Sequence, residues 1–297
     1  MATVLRVLES GSQYEELRNK TMVYLQRMVQ CVGKDLLQSG SSTLERFLSI
    51  LVSTATAEDI LFVSQLMNNL CASFGKDALG LMDVTVLPFL QRCETLVVET
   101  DGATTNPDEE EAPHVCTEKM RVQKLVYSVL HHVVNKDLSP LLVSSRNVGS
   151  FLPILQSVGQ GAVEHADAAV RKTCIKFFQE LLLKWAAQDK EQVDKDQHYN
   201  TLLSFVCQCF VPGFLKLVLS KSFDKNDANN ARGLSEFCVI LDELKSNPKS
   251  KALYSSTLAS ACHGLSMPQT VYEVLVSGMT SWQEMEKELL RPLTSNP

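Results

Sequence analysis

Val32-Gly33-Lys34-Asp35 returns as Phe74-Gly75-Lys76-Asp77, an offset of 42 residues from Lys34 to Lys76. A third echo, Asn135-Lys136-Asp137-Leu138, comes 60 residues after Lys76. Between the second and third copies lies an acidic, proline-containing stretch of 15 residues, 100–114, and without it the second spacing becomes 45. Each copy closes one apolar stripe and opens the next. A phrase recurring at this spacing marks a structural unit that cannot bury its own hydrophobic face and must stack on its neighbours.

The stripes themselves are helical. Met22, Leu25, Val29, Val32 and Leu36 step by three and four residues, as do Ile60, Val63, Met67, Leu70 and Phe74. That is the face of an amphipathic helix. Ser39-Gly40-Ser41-Ser42 reads as a chain break. Leu79, Met82, Val86 and Leu90 continue the pattern, with Pro88 expected to kink or restart the helix because it has no N–H to give. Val122, Val126, Val129 and Val133 form another stripe. Asp167-Ala168-Ala169-Val170-Arg171 then opens a helix carrying Cys174, Phe178, Leu181 and Trp185. The Asp is placed to cap, the Val to pack inward and the Arg to reach the neighbouring unit. Residues 188–197 read as a charged loop, and Leu202, Phe205, Cys209 and Phe210 as a stripe ended or restarted by Pro212-Gly213. Further helices are expected over 226–244, 251–263 and 268–290. No segment alternates with the two-residue period of a strand. The expectation is an all-α HEAT-repeat solenoid, a superhelical stack of antiparallel helix pairs, whose repeats run about 40–47 residues. Its parts are repeats over 1–99, an acidic loop insertion at 100–114 and further repeats over 115–297.

The chain has 297 residues, 45% hydrophobic and 21% charged, with a formal net charge of −6. A dedicated nucleic-acid binder is usually basic, so any RNA contact must be local or shared with other parts of an assembly. No run of about 18 uninterrupted apolar residues suggests insertion into a membrane, and the start, Met1-Ala2-Thr3-Val4-Leu5-Arg6, does not read as a secretion signal. Nine cysteines are scattered, mostly among apolar neighbours, as buried free thiols are in a reducing compartment.

Motifs for chemistry are weak. Cys207-Gln208-Cys209 has one intervening residue where zinc sites prefer two to four, and on a helix the two thiols diverge by about 200°. Cys209 is therefore expected in the core. His131-His132 makes a poor chelate for the same reason. GxxxxGK[ST], GxGxxG, GxSxG and HExxH do not occur, so no enzymatic activity, cofactor or metal is expected. The basic residues Arg171, Lys172, Lys176 and Lys184 punctuate one helix, and Lys216, Lys221 and Lys225 come in the next unit. A solvated outer face accounts for them, and so does a phosphate-binding face if that helix lines the inner side of the stack.

The string from Val170-Arg171-Lys172-Thr173-Cys174-Ile175 through Leu181-Leu182-Leu183-Lys184-Trp185 resembles the C-terminal end of the exportin-T family, of the importin-β class. Phe205-Val206 to Val211-Pro212, Leu234-Ser235-Glu236-Phe237-Cys238-Val239-Ile240-Leu241 and Tyr272 to Met279 continue it, and Val86-Leu87-Pro88-Phe89-Leu90 resembles a repeat phrase of the same family. The resemblance is strongest over 167–280. It implies a carrier that binds tRNA on the concave face of its superhelix together with GTP-bound Ran, meets nucleoporins and shuttles between nucleus and cytoplasm. It makes Arg171, Lys172, Lys176, Lys184 and Lys221 the candidate RNA contacts. Family members are several times longer, and nothing here resembles the N-terminal repeats that carry their main Ran grip, so the chain is expected to be a fragment or a split subunit. The competing reading is a HEAT protein–protein scaffold, or another karyopherin, without an RNA role; the negative charge favours it.

Overall fold

The three echoes turn out to occupy one structural position. A computed structural model describes residues 1–102, 113–187, 193–224 and 226–264. In it α2 (Glu15–Val32) ends at Gly33, with φ 62°, and α4 (Asp59–Phe74) ends at Gly75, with φ 53°. Both angles fall where a Cβ is strained and glycine is not. Each glycine donates its N–H back into the last turn, to the carbonyls of Val29 and Cys71. α6 (Pro113–Asn135) ends on the third echo with Asp137 at φ 61°, closed by a bond from Leu138 N to the Val133 carbonyl at 2.9 Å. The copies also touch, because Lys34 Nζ of the first lies 2.6 Å from Asp77 Oδ2 of the second.

The chain divides into two units, residues 1–151 and 152–297. In the first, α1 (Ala2–Gly11), α3 (Asp35–Thr54) and α5 (Leu79–Gly102) lie side by side in one layer, and α2, α4 and α6 form the other. Each helix packs on the next but one as well as on its sequence neighbour, which is how stacked helix pairs bury a continuous core. The described residues contain helices and no strand. The fold is all-α and HEAT-like.

The break expected at Ser39–Ser42 is a kink: Gly40 leaves helical geometry (φ −144°, ψ 18°) and α3 is helical on either side of it, with Leu44, Phe47 and Leu48 buried beyond it. Pro88 does not end α5. It sits on the exposed side of the helix, where water can satisfy the Val84 carbonyl that loses its partner. The buried face of α5 is Leu81, Met82, Val86, Phe89 and Cys93, with Leu79 36% exposed. The core stripe therefore runs beside the expected one, because α5 packs against both α3 and α6. Of the insertion at 100–114, α5 takes the first residues and α6 begins at Pro113; residues 103–112 lie outside the described residues.

The second unit contains α7 (Phe151–Glu164), α8 (Ala168–Ala186), α9 (Val193–Phe205), a π-helical turn (Val206–Phe210), α10 (Val211–Val218), α11 (Ala228–Ser246) and α12 (Lys251–Gly264). α8 packs along α11, while α12 lies against the π turn and α10. α7 approaches α9 so closely that a Cβ on Gly159 would fall 2.9 Å from Phe205 Cζ. The core is aromatic: Phe178 stacks on Phe210 with ring centroids 4.7 Å apart, and Phe214 meets Phe237 at 4.5 Å.

The π turn overturns one expectation. Cys207 is buried and Cys209 exposed. An i→i+5 turn inserts one residue into the helical register and rotates the downstream residues by about 100°. Cys209 thereby leaves the core and Phe210 stays in it. α9 also begins at Val193, inside the expected loop 188–197; residues 188–192 lie outside the described residues, as does the helix expected at 268–290.

Candidate nucleic-acid interface

The phrase that opens α8 performs the three roles read from it. Asp167 is the N-cap in extended conformation, and its Oδ1 accepts the Ala169 N–H at 2.8 Å. Val170 is buried. Arg171 bridges to the next helix of its layer: Nη1 donates to the His165 carbonyl at 2.5 Å and the Ala166 carbonyl at 3.0 Å, and Nη2 donates to Asn230 Oδ1 at 2.8 Å. Lys172 Nζ adds a bond to Asn229 Oδ1 at 3.0 Å. Asn230 is held in turn by its own donation to the Asp224 carbonyl at 2.7 Å, and Asp227 caps α11 through the N–H groups of Asn229 and Asn230. Gly233 permits this approach, since a Cβ there would meet Ile175 Cδ1 at 2.9 Å.

Arg171 and Lys172 are thus bonded within the α8–α11 joint. Burial makes the Arg171 guanidinium easier to deprotonate, while Asp227 and Asp167 oppose that, and the group stays cationic. Lys176 on α8 is 41% exposed, with Glu180 Oε1 at 3.9 Å. Lys184 is half-buried near the other end of α8, about 20 Å along the axis from Arg171. Lys221 is exposed in the turn after α10. The five candidates do not form one cluster: they occupy a joint, a helix face and a turn.

The linear reading misses how charge is shared between layers. In the first unit, α2, α4 and α6 carry six Lys and Arg against four Asp and Glu, whereas α1, α3 and α5 carry three against seven. In the second unit, α8 and α11 carry six against four. Exposed Lys20 and Arg27 on α2 and exposed Lys124 on α6 belong to the basic layer. Between Lys20 and Arg27 the surface dips into a groove lined by Val23, Tyr24 and Phe62 and also by Glu15 and Glu16, the latter 2.8 Å from Lys20 Nζ. No spacing rule finds this segregation, because helices adjacent in sequence alternate between layers.

Other chemistry finds little support. No group of three or more His, Cys, Asp or Glu side chains is brought together for a metal among the described residues. Burial pushes the thiols of Cys71, Cys93 and Cys207 up to about 12, so they are poor nucleophiles. One helix, Gln197–Val218, is long and apolar enough to cross a membrane, but half of it is buried within its unit, and its Phe210 and Phe214 belong to the aromatic core.

The Exportin-T family model matches residues 1–291. The N-terminal half is included, although the resembling phrases are densest after residue 167. Among curated relatives, Exportin-T of Arabidopsis thaliana is 27% identical over 232 residues, covering 76% of this chain and 22% of the relative. Exportin-T of Homo sapiens is 26% identical over 252 residues, covering 84% and 24%. Exportin-T of Danio rerio is 23% identical over 278 residues, covering 93% and 27%. The chain spans about a quarter of the length of these relatives, and no solved structure matches it. From its repeat phrase, its stacked helix pairs and a family match along almost its whole length, the chain belongs to the Exportin-T family.

Proposed function

We propose that this chain contributes a tRNA-facing segment to a nuclear export carrier that works with GTP-bound Ran and shuttles between nucleus and cytoplasm. The observation that supports the reading is the segregation of charge in the first unit: within a net acidic chain, α2, α4 and α6 carry six Lys and Arg against four Asp and Glu, and α1, α3 and α5 carry three against seven. Lys20, Arg27 and Lys124 in the first unit, and Lys176, Lys184 and Lys221 in the second, are the proposed phosphate contacts. Arg171 and Lys172 act behind them by holding α8 against α11. Recognition by such a face is of shape and backbone, because folded RNA hides its base edges in a deep groove and displays phosphates and 2′-hydroxyls. If RNA and Ran favour the same arrangement of repeats, each raises the affinity of the other by the same factor.

Fluorescence anisotropy of labelled tRNA, titrated with the chain at several salt concentrations with and without GTP-loaded Ran, tests this. Lys176→Glu and Arg27→Glu should each weaken binding and lower the salt slope by about one ion. Equal slopes for wild type and variants would remove those side chains from the interface. The net charge of −6 favours the protein–protein scaffold as a second reading, and the absence of any tRNA binding would leave that one standing.

A further inference from the structure

We propose that the groove on the α2–α4 face is the docking surface for a second copy of this chain, laid antiparallel on the first. The groove holds about 880 Å³. Val23 and Phe62 within it are 44% and 40% exposed. Exposed apolar side chains gathered in one place and rimmed by charge mark a contact surface. The outward side chains of α2 there are Glu16, Lys20, Val23 and Arg27, all exposed and spaced by four, three and four residues. That spacing reads the same from either end.

A two-fold axis crossing α2 midway between Lys20 and Val23 therefore brings Glu16 opposite Arg27 of the second copy at both ends of the contact. In the middle, Val23 packs on the methylene stem of the other Lys20. Lys20 Nζ occupies Glu16 Oε1 at 2.8 Å, which leaves Oε2 for the arriving guanidinium. The same register sets Tyr24 of the second copy opposite Asn19, whose Oδ1 has no hydrogen-bond partner among the described residues. Phe62 falls at the centre as well. The first turns of α2 and α4 meet at Arg18 and Asp59, so Phe62, three residues beyond Asp59, lies about level with the axis and faces Phe62 of the other copy. Aromatic anchors at the centre with charge at the rim are the usual anatomy of an interface. A uniformly charged partner would satisfy one end of this stripe and be repelled by the other, whereas a second copy satisfies both. From Glu16 to Arg27 the contact is about 16 Å long, at 1.5 Å per residue, so the dimer is a weak one. Pairing covers Lys20 and Arg27, and a paired chain withholds them from phosphate.

Sedimentation equilibrium of the full 297-residue chain from low to high micromolar concentration, without RNA, tests the pairing. The weight-average mass should rise from 33.0 kDa toward twice that value. Glu16→Arg sets arginine against Arg27 in a self-pair, and Arg27→Glu sets glutamate against Glu16. Each variant alone should therefore pair at least about tenfold more weakly, since the clash occurs twice across the axis. Mixed in equal amounts, the two variants regain opposite charges at both ends, and the mass should rise again. That recovery also shows both variants to be folded. A wild-type chain that stays at 33.0 kDa throughout would overturn the proposal and leave the groove to a different protein. A dimer that neither charge reversal weakens, or that mixing fails to restore, would overturn it by moving the contact elsewhere. A chain that pairs but binds no tRNA keeps this proposal and loses the tRNA reading, so each can fail alone.

Discussion

Arg18 and Arg171 make the same connection in different surroundings. Each is the fourth residue of its helix, α2 and α8. Each reaches back six residues to a carbonyl, Ser12 O at 2.9 Å and His165 O at 2.5 Å. Each then reaches forward to the first turn of the next helix in its layer, Asp59 in α4 or Asn230 in α11. The partners differ in charge. Arg18 is 5% exposed and meets a carboxylate that is 2% exposed, with Nη2 at 2.6 Å and Nε at 2.8 Å from Asp59 Oδ2. Arg171 is only half-buried and meets a neutral amide. A guanidinium taken wholly out of water needs an opposite charge to offset its desolvation, whereas one still partly wet is satisfied by dipoles. Where a repeat closes over its arginine, the partner has to be an acid.

Removing the partners is the most direct way to break this comparison. Asp59→Ala strands a buried cation and also removes the acceptor for Thr56 N and Oγ1. It should destabilise the chain by about 3–5 kcal/mol in urea unfolding monitored by circular dichroism. A loss below about 1 kcal/mol would mean that Arg18 finds water on its own, and the contrast would dissolve. Asn230→Ala should cost less, about 1.5–3 kcal/mol, because Arg171 keeps the His165 and Ala166 carbonyls and some solvent. A cost as large as that of Asp59→Ala would show the second joint to be as sealed as the first. The exposed pair between the repeat phrases sets the floor. Lys34 and Asp77 are 63% and 54% exposed, so Lys34→Ala should change stability by less than about 1 kcal/mol, and salt should erase the difference. A larger, salt-resistant loss would make the repeat phrase itself a clasp.

The phrases legible in the sequence are those whose cause is local. Gly33 and Gly75 are glycines because the chain turns there with positive φ, a turn that the third copy makes two positions later, at Asp137. Asp167 caps through the N–H of Ala169, two residues on, so the run of Asp, Val and Arg can be read without knowing what lies beside it. Arg18 escapes such a reading because the acid it needs lies 41 residues away and the run before it, Tyr14-Glu15-Glu16-Leu17, lacks that capping signature. Helical spacing misplaces Cys209 because it assumes 3.6 residues per turn, and the π turn between Phe205 and Val211 does not keep it. The candidate site is less legible than the fold. Arg171 reads as reaching toward a neighbour and Lys172 as a surface cation, and only the structure supplies their partners Asn230 and Asn229, 59 and 57 residues further on.

The sequence by itself determined the helical class, the cap at Asp167 and the repeat, since apolar spacing and the φ demanded by a turn act within a few residues. It determined the family too, through packing phrases that survive at about 26% identity. Only the tertiary structure decided which cations are committed to joints and which remain on a face. It also decided that the alternating helices of the first unit would sort into a basic layer and an acidic one. Both depend on which helix stacks on which. Stacking is settled by burying a shared core across dozens of residues, beyond the reach of any local pattern.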